Sequence, residues 1–335
     1  MSVEILSTAI DLDLYGGQEK VLMDIHEGIK NEYNAKVLGF IKYDKLHPKY
    51  KISKSEYIRL KNPLHLNNKI IIVHGRNAMT ILMILKRVFF LNTRFLYVHH
   101  NVYNSLKRVS FFPDNIISIS GKVTENLINY FGLKKRNIQL IYNGIKQATA
   151  ADVTVTTTKK DKIKIVYAAR VNGVKRQLEI VERLGNKLSP KIEIHFAGTG
   201  PDYEKLKDKC SHTNNFFALG FVDNTNELIA NSDYLMLYSK QEGLPISLIE
   251  GTLYGKPLLV NDVGGNAEIG IPGVNGILLN NDWDDLANTL NSLVDIPEDE
   301  YLRMGKNSRK RYEAMFTYDK MIADYINKIK QISAN

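Results

Sequence analysis

A single cysteine, Cys210, stands among 335 residues. A disulfide framework and a cysteine-based zinc cluster are thereby excluded, and a reducing compartment fits. Long apolar runs are missing too. The most apolar stretch, 78–98, is broken by Lys86, Arg87 and Arg94, which argues against a bilayer-spanning helix. The first ten residues lack the basic flank and long apolar core of a secretory signal, so a cytosolic chain is expected. There is no Walker-type Gly-x4-Gly-Lys-Ser/Thr and no strand-linked Gly-x-Gly-x-x-Gly. Low-complexity tracts are absent, and no internal repeat stands out beyond two αβ halves.

What is present is ordinary for a folded protein: 44% hydrophobic and 24% charged residues exclude wholesale disorder. At roughly 100–200 residues per domain, the length suggests two domains. Net charge is +9, from 45 Lys and Arg against 36 Asp and Glu, and it is unevenly placed. Residues 1–150 carry 22 basic and 11 acidic side chains, while 36–136 alone carry 19 against 4. Such a block suits an anionic partner: nucleic acid, an acidic membrane or a phosphorylated substrate.

Short apolar runs alternate with helical patterns throughout. In the second half, strands are expected at 162–169, 191–198, 216–221, 234–239 and 257–262, with helices at 177–188, 203–210, 227–231 and 246–255. The first half follows the same grammar, with strands at 3–10, 35–40, 69–74, 94–99, 115–120 and 139–142. Nearly unbroken apolar strands linked by helices imply parallel sheets covered on both faces. The expected class is α/β, with two doubly wound Rossmann-like domains facing a central cleft. Boundaries are placed at 1–150, a polar linker at 151–161, a second domain at 162–316 and a helix at 317–335 that returns to the first domain. Ligands in such sheets bind beyond the carboxyl ends of the strands.

The densest signal is Ser239-Lys240-Gln241-Glu242-Gly243-Leu244-Pro245-Ile246-Ser247-Leu248-Ile249-Glu250, where an apolar strand ends and a helix begins. Pro245 suits a first helical turn, and the N–H groups of Gly243 and Leu244 suit an oxygen-rich ligand. Glu242 and Glu250 are eight residues apart, roughly 12 Å along a helix, too far for a hydrolase carboxylate pair at about 5–10 Å. They are better placed to hold two ends of one ligand through its hydroxyls.

These residues resemble the retaining family-4 glycosyltransferases of GT-B fold, whose hallmark is Glu-x7-Glu after an apolar strand. Gly255-Lys256-Pro257, Val263-Gly264-Gly265-Asn266-Ala267-Glu268, Ala197-Gly198-Thr199-Gly200-Pro201, Leu219-Gly220-Phe221, Gly16-Gly17-Gln18-Glu19 and Ile141-Tyr142-Asn143-Gly144-Ile145 look like further family motifs in the family's order. The likeness is dense from 162 to 279 and patchy before it. Departures are Ala169 and Arg176, where the family usually has Gly, and Gly251, where it usually has Ala.

The resemblance implies a metal-independent, retaining hexosyltransferase with no cofactor besides its nucleotide-sugar donor, for which UDP-sugar is expected. Arg170 and Lys175 would hold the diphosphate, Glu250 the ribose, and Glu242 with Gly243, Leu244 and Pro245 the donor sugar. Gly198 and Phe221 would border the nucleotide, and Gly16 and Gly17 would admit an anion at a helix N-terminus. His100, with His99 as the alternative, would lie near the reacting centre. Independently of the family, fixed cations aimed at a departing diphosphate stabilise its charge. Asp11-Leu12-Asp13 reads as a solvated loop or an acceptor contact, without a third metal ligand. The acceptor is expected to be a glycan or a lipid-linked glycan in cell-surface polysaccharide or lipopolysaccharide synthesis. The basic first domain then suits an anionic membrane surface on the inner face of the cell membrane rather than nucleic acid. A nucleotide-sugar epimerase of the same fold is the nearest rival, and a basic nucleic-acid-binding protein a more distant one.

Overall fold

The computed structural model describes residues 3–14, 16–147 and 161–334. Apart from Asp161, the expected linker lies outside the described residues. The chain divides into two compact units, Met1–Asn143 with Tyr318–Asn335, and Gly144–Thr317.

The first unit is built on seven parallel strands: β1 (Ile5–Thr8), β2 (Ala35–Gly39), β3 (Tyr57–Arg59), β4 (Ile70–His74), β5 (Arg94–His99), β6 (Asn115–Ser118) and β7 (Ile138–Leu140). Their order in the sheet is β3-β2-β1-β4-β5-β6-β7. The β-branched run Ile70-Ile71-Ile72-Val73 is wholly buried, as a central parallel strand covered on both faces requires. Helices α1 (Gly17–Ile29), α2 (Arg76–Val88) and α3 (Gly121–Asn129) provide the crossovers. Helix α2 starts at Arg76, directly after β4. Gly75 takes φ +94°, a left-handed turn that a glycine makes without strain, and lets the helix begin at once. Strand β3, which sequence pattern misses, is a three-residue edge strand. It follows a turn in which Glu56 caps the Ser53 N–H at 2.9 Å.

The second unit repeats the scheme with β8 (Ile163–Ala168), β9 (Ile192–Ala197), β10 (Phe216–Gly220), β11 (Tyr234–Leu237), β12 (Leu258–Val260) and β13 (Gly276–Leu278). The sheet order is β10-β9-β8-β11-β12-β13. Helices α4 (Gln177–Leu184), α5 (Tyr203–Ser211), α6 (Thr225–Ala230), α7 (Ile246–Leu253), α8 (Asn266–Ile269), α9 (Trp283–Ser292) and α10 (Glu298–Met315) surround it. The helix expected over 177–188 ends at Leu184 because Gly185 enters the left-handed region at φ +38°. A short 3-10 turn, Gly185–Lys187, completes the segment.

The last helix, α11 (Tyr318–Ala334), belongs to the first unit. Its stripe Met321, Ile322, Tyr325, Ile329 and Ile332 is buried. Gly28 on α1 makes room for it: a Cβ there would stand 2.4 Å from Ile322 Cδ1. Tyr318 donates a hydrogen bond to the Asp24 carbonyl at 3.0 Å, and Arg94 donates to the Ile332 carbonyl at 2.8 Å.

In each sheet strand order reverses about one pair, β1 with β4 and β8 with β11. Beyond the carboxyl ends of such a pair, two loops diverge and leave a crevice. Arg170 and Lys175 follow β8, Glu242 follows β11 and the Gly16-Gly17 turn follows β1, whereas His100, Gly198 and Phe221 follow β5, β9 and β10.

Candidate functional site

In the second unit, the loop after β8 and the turn after β11 are bound together by one hydroxyl. Tyr167, fully buried on β8, donates to the Lys175 carbonyl at 2.6 Å and accepts from the Tyr238 N–H at 3.2 Å. Burial raises the pKa of its hydroxyl above the ordinary range, so it stays a neutral donor. The loop is fixed again by Asn172, whose side-chain oxygen accepts from the Lys175 N–H at 3.0 Å.

Two site residues placed by this frame meet directly. The Lys175 ammonium is in ion-pair contact with Glu242 Oε1, and Glu242 is buried. Gly243, Leu244 and Pro245 are buried at the head of α7, and Glu250 lies half-buried about one turn along it. The turn carrying Glu242 is pressed against the glycine pair that follows β12. Gly265 donates to the Gly243 carbonyl at 2.7 Å, and a Cβ at Gly264 would sit 2.2 Å from the Glu242 carbonyl oxygen. Gly264 also takes φ +54°. Side-chain-free backbone is therefore required on both grounds.

Gly198 and Gly200 follow β9. A Cβ at Gly198 would approach the Ala169 carbonyl oxygen to 2.1 Å, and φ is +139°. Arg170 is exposed at the mouth of the β8 loop, with Gln177 holding its carbonyl at 3.1 Å. Phe221, also exposed, stands just past the end of β10.

Arg176 is what motif reading misses here. It takes the left-handed conformation, φ +59°, at the position where related sequences were expected to carry glycine. Its guanidinium lies against both Tyr238 and Trp283, 4.6 and 4.5 Å from the ring centroids, and the two rings themselves meet edge to face. It donates to Asn281 at 2.7 Å and Glu179 at 3.1 Å. The side chain that breaks the glycine pattern thus becomes a buried tie between the β8 loop and the start of α9.

In the first unit, the crevice at the ends of β1 and β4 measures about 200 Å3 and is lined by Asp11, Gln18, His74, Arg76 and Tyr103, among others. Asp11, of the Asp11-Leu12-Asp13 segment, is exposed here, while Leu12 is core. Gly16 and Gly17 bring the chain into α1, and the Gly16 N–H donates to the Glu19 carboxylate at 3.0 Å. Burial raises the Glu19 pKa, with the backbone hydrogen bonds opposing it.

The two candidate histidines separate cleanly. His99 is wholly buried, edge-on to Tyr97, Tyr103, Phe112 and Phe131, with Nδ1 bonded to the Tyr97 hydroxyl at 2.7 Å. His100 is half-buried at the strand end and shares one hydrogen bond with His74, Nε2 to Nδ1 at 2.8 Å. Desolvation lowers His99 and His100 to about 3 and His74 well below its ordinary value, so in the His74–His100 bond one neutral imidazole donates and the other accepts. His74 was readable in principle: it ends β4, the strand beside the one that precedes His100.

One cluster of potential metal ligands is found among the described residues, His26 with Glu27 and Glu56. Lys30 already sits on both glutamates, at 2.8 and 3.3 Å, and supplies their countercharge.

Residues 150–311 match the family model described as glycosyl transferases group 1. The O-antigen biosynthesis glycosyltransferase WbnH of Escherichia coli is 31% identical over 191 residues, covering 56% of this chain and 53% of that protein. The chain spans about half the length of the curated relatives it matches. Among solved structures, Anabaena Alr3699/HepE in complex with UDP superposes with a TM-score of 0.81 at 18% identity, covering 99% of this chain and 100% of that one. The apo form of the lipopolysaccharide outer core galactosyltransferase WaaB gives 0.76 at 18%, covering 98% and 99%. At these identities the likeness establishes the fold, which is GT-B.

Proposed function

We propose that the chain is a retaining, metal-independent glycosyltransferase that moves a hexose from a UDP-sugar to a glycan or lipid-linked acceptor in cell-surface polysaccharide synthesis. The direct Lys175–Glu242 contact at the carboxyl end of the second sheet carries this reading. It is supported by the glycosyl transferases group 1 match, by the O-antigen relative and by the UDP held in a structural neighbour of the same fold.

In this reading Arg170 and Lys175 meet the diphosphate, with the N–H groups of Gly243 and Leu244 beside them. Donor entry draws Lys175 toward phosphate and frees Glu242 to accept hydrogen bonds from sugar hydroxyls. Glu250 takes the ribose hydroxyls, while Gly198 and Phe221 border the base. As the bond between the anomeric carbon and the phosphate oxygen breaks, negative charge grows on that oxygen. Cations already fixed around it lower the barrier by several kcal/mol. The acceptor hydroxyl attacks from the same face, and its proton passes to the departing phosphate oxygen, so the configuration is retained. His100 and the Gly16-Gly17 turn serve the first unit's side of the reaction. The two cations provide the countercharge that other transferases take from a metal.

Among the described residues no helix is long and apolar enough to cross a membrane, and the proposed place of action is peripheral, on the inner membrane face. The test supplies UDP-, GDP- and ADP-sugars with candidate acceptors and reads the product's anomeric configuration by NMR. An α-linked product from an α-linked donor supports the reading. An inverted product, or an epimerised donor formed without acceptor, overturns it.

A further inference from the structure

The first unit exposes apolar side chains in a way its own stability does not explain. Ile81, Ile84 and Val88 occupy positions i, i+3 and i+7 of α2, one face of the helix, and all three are exposed. The chain then turns through Phe89 and Phe90. Phe90 is 93% exposed and takes φ +49°. The Leu91 N–H closes the helix on the Lys86 carbonyl at 3.0 Å, which puts Phe90 in the left-handed C-terminal position where glycine is the usual residue. A large aromatic is thus held in water by a strained backbone.

A second segment repeats this. Leu106 is exposed with φ +60°, and Val109 and Phe111 beside it are exposed too. The segments adjoin: the Phe111 N–H meets Thr80 Oγ1 at 3.4 Å, and a groove of about 280 Å3 lies between Ile81 on α2 and Leu106 and Val109. Cations accompany both segments, with exposed Arg87, Lys107 and Arg108 and half-buried Lys86. From Tyr57 to Pro113 the chain has nine Lys and Arg and no Asp or Glu.

We propose that the outer face of α2, the Phe89-Phe90 turn and the 106–111 segment form a docking edge that lies on an anionic bilayer. Apolar side chains enter the headgroup boundary while the flanking cations meet lipid phosphates, the combination that holds interfacial segments at membranes. A soluble protein partner would be expected to answer such a charged rim with acids of its own; anionic lipid answers it with no further specificity. The groove and the first unit's crevice share Arg76 and Asn77. An acceptor held in the bilayer would therefore reach the crevice from this edge. That last step rests on the proposed function, whereas the docking does not.

The test is flotation of the intact chain with vesicles of phosphatidylcholine containing phosphatidylglycerol, and with phosphatidylcholine alone, at low and high salt. Binding is expected only to the anionic vesicles and is expected to weaken with salt. Phe90→Gly should weaken it about tenfold or more, the scale of losing one inserted aromatic. The same substitution should raise the thermal midpoint, because glycine relieves the left-handed strain. Arg87→Glu with Arg108→Glu should reduce binding without lowering that midpoint. Stabilisation by UDP serves as a control that reads the donor site separately. Absence of binding to anionic vesicles overturns the proposal. So does unchanged binding in Phe90→Gly, or a concentration-dependent dimer that Phe90→Gly abolishes, which would assign the edge to a second copy.

Discussion

The Lys175 ammonium and the Glu242 carboxylate, 67 positions apart, form an ion pair in which Glu242 keeps 8% of its side-chain surface and Lys175 21%. The two opposite charges offset each other directly across the loops that carry them. In the proposed function, the pair poises both groups for a ligand that presents phosphate to one and hydroxyls to the other.

Glu242→Ala should lower the transfer rate about 10²-fold or more, the scale of removing one preorganised electrostatic contact. Affinity for UDP should fall much less, because the released Lys175 still meets phosphate. Steady-state kinetics together with UDP titration separates the two effects. An unchanged rate, or a loss of UDP affinity as large as the loss of rate, would refute the division of roles.

The glycine turns impose a different constraint. Gly198→Ala would drive a Cβ into the Ala169 carbonyl oxygen, and Gly264→Ala into that of Glu242; both positions also have positive φ. Each is expected to destabilise the chain by about 2–4 kcal/mol, combining overpacking and backbone strain. Gly173→Ala, with nothing within 4 Å of its Cβ, should leave stability within about 0.5 kcal/mol. Urea unfolding of the three variants provides the comparison. Equal effects at Gly173 and Gly198 would show that the loops move to make room.

Much of this arrangement is readable in the chain itself. Alternating apolar strands and helices locate the two parallel sheets, and strand-end glycines and charges point to the candidate site of the second unit. What pattern cannot supply is which partners meet. Lys175 and Glu242 read separately as a phosphate contact and a sugar contact, because their distance depends on how two loops fold over Tyr167. Arg176 reads as a lost glycine, since its stacking partners Tyr238 and Trp283 lie far along the chain. Strand β3 is too short, and too near polar residues, to give a period-two signal.

Arg176 tests that point. Its guanidinium packing stabilises the site, while its left-handed backbone opposes it. Arg176→Ala loses the packing and keeps the strain, and should cost about 2–4 kcal/mol. Arg176→Gly loses the packing and relieves the strain, so it should be about 1 kcal/mol more stable than the alanine variant. Thermal or urea unfolding gives both values. If the alanine variant equals or exceeds the glycine variant, the conformation at residue 176 is not under the strain its φ indicates.

Acid should find the first unit's weak point. Burial holds His99 and His100 down to about 3, and His74 well below its ordinary value of 6.5. The unfolded chain's imidazoles take up protons as pH falls through 6.5, whereas the folded ones stay neutral. Between about pH 6.5 and 3 the unfolded state therefore binds more protons. These histidines contribute their full stability above 6.5 and lose it as pH falls through that window, each by up to ~1.4 kcal/mol per pH unit. His99→Phe keeps an aromatic ring in the cage of Tyr97, Tyr103, Phe112 and Phe131 but leaves the Tyr97 hydroxyl without its hydrogen-bond partner. It should be less stable than the parent at pH 7 by about 1–3 kcal/mol and should lose stability less steeply between pH 6.5 and 4. Urea unfolding at half-unit pH steps gives both slopes. Parallel curves for parent and variant would mean that His99 takes up a proton in the folded state near its ordinary value, and that the cage admits water.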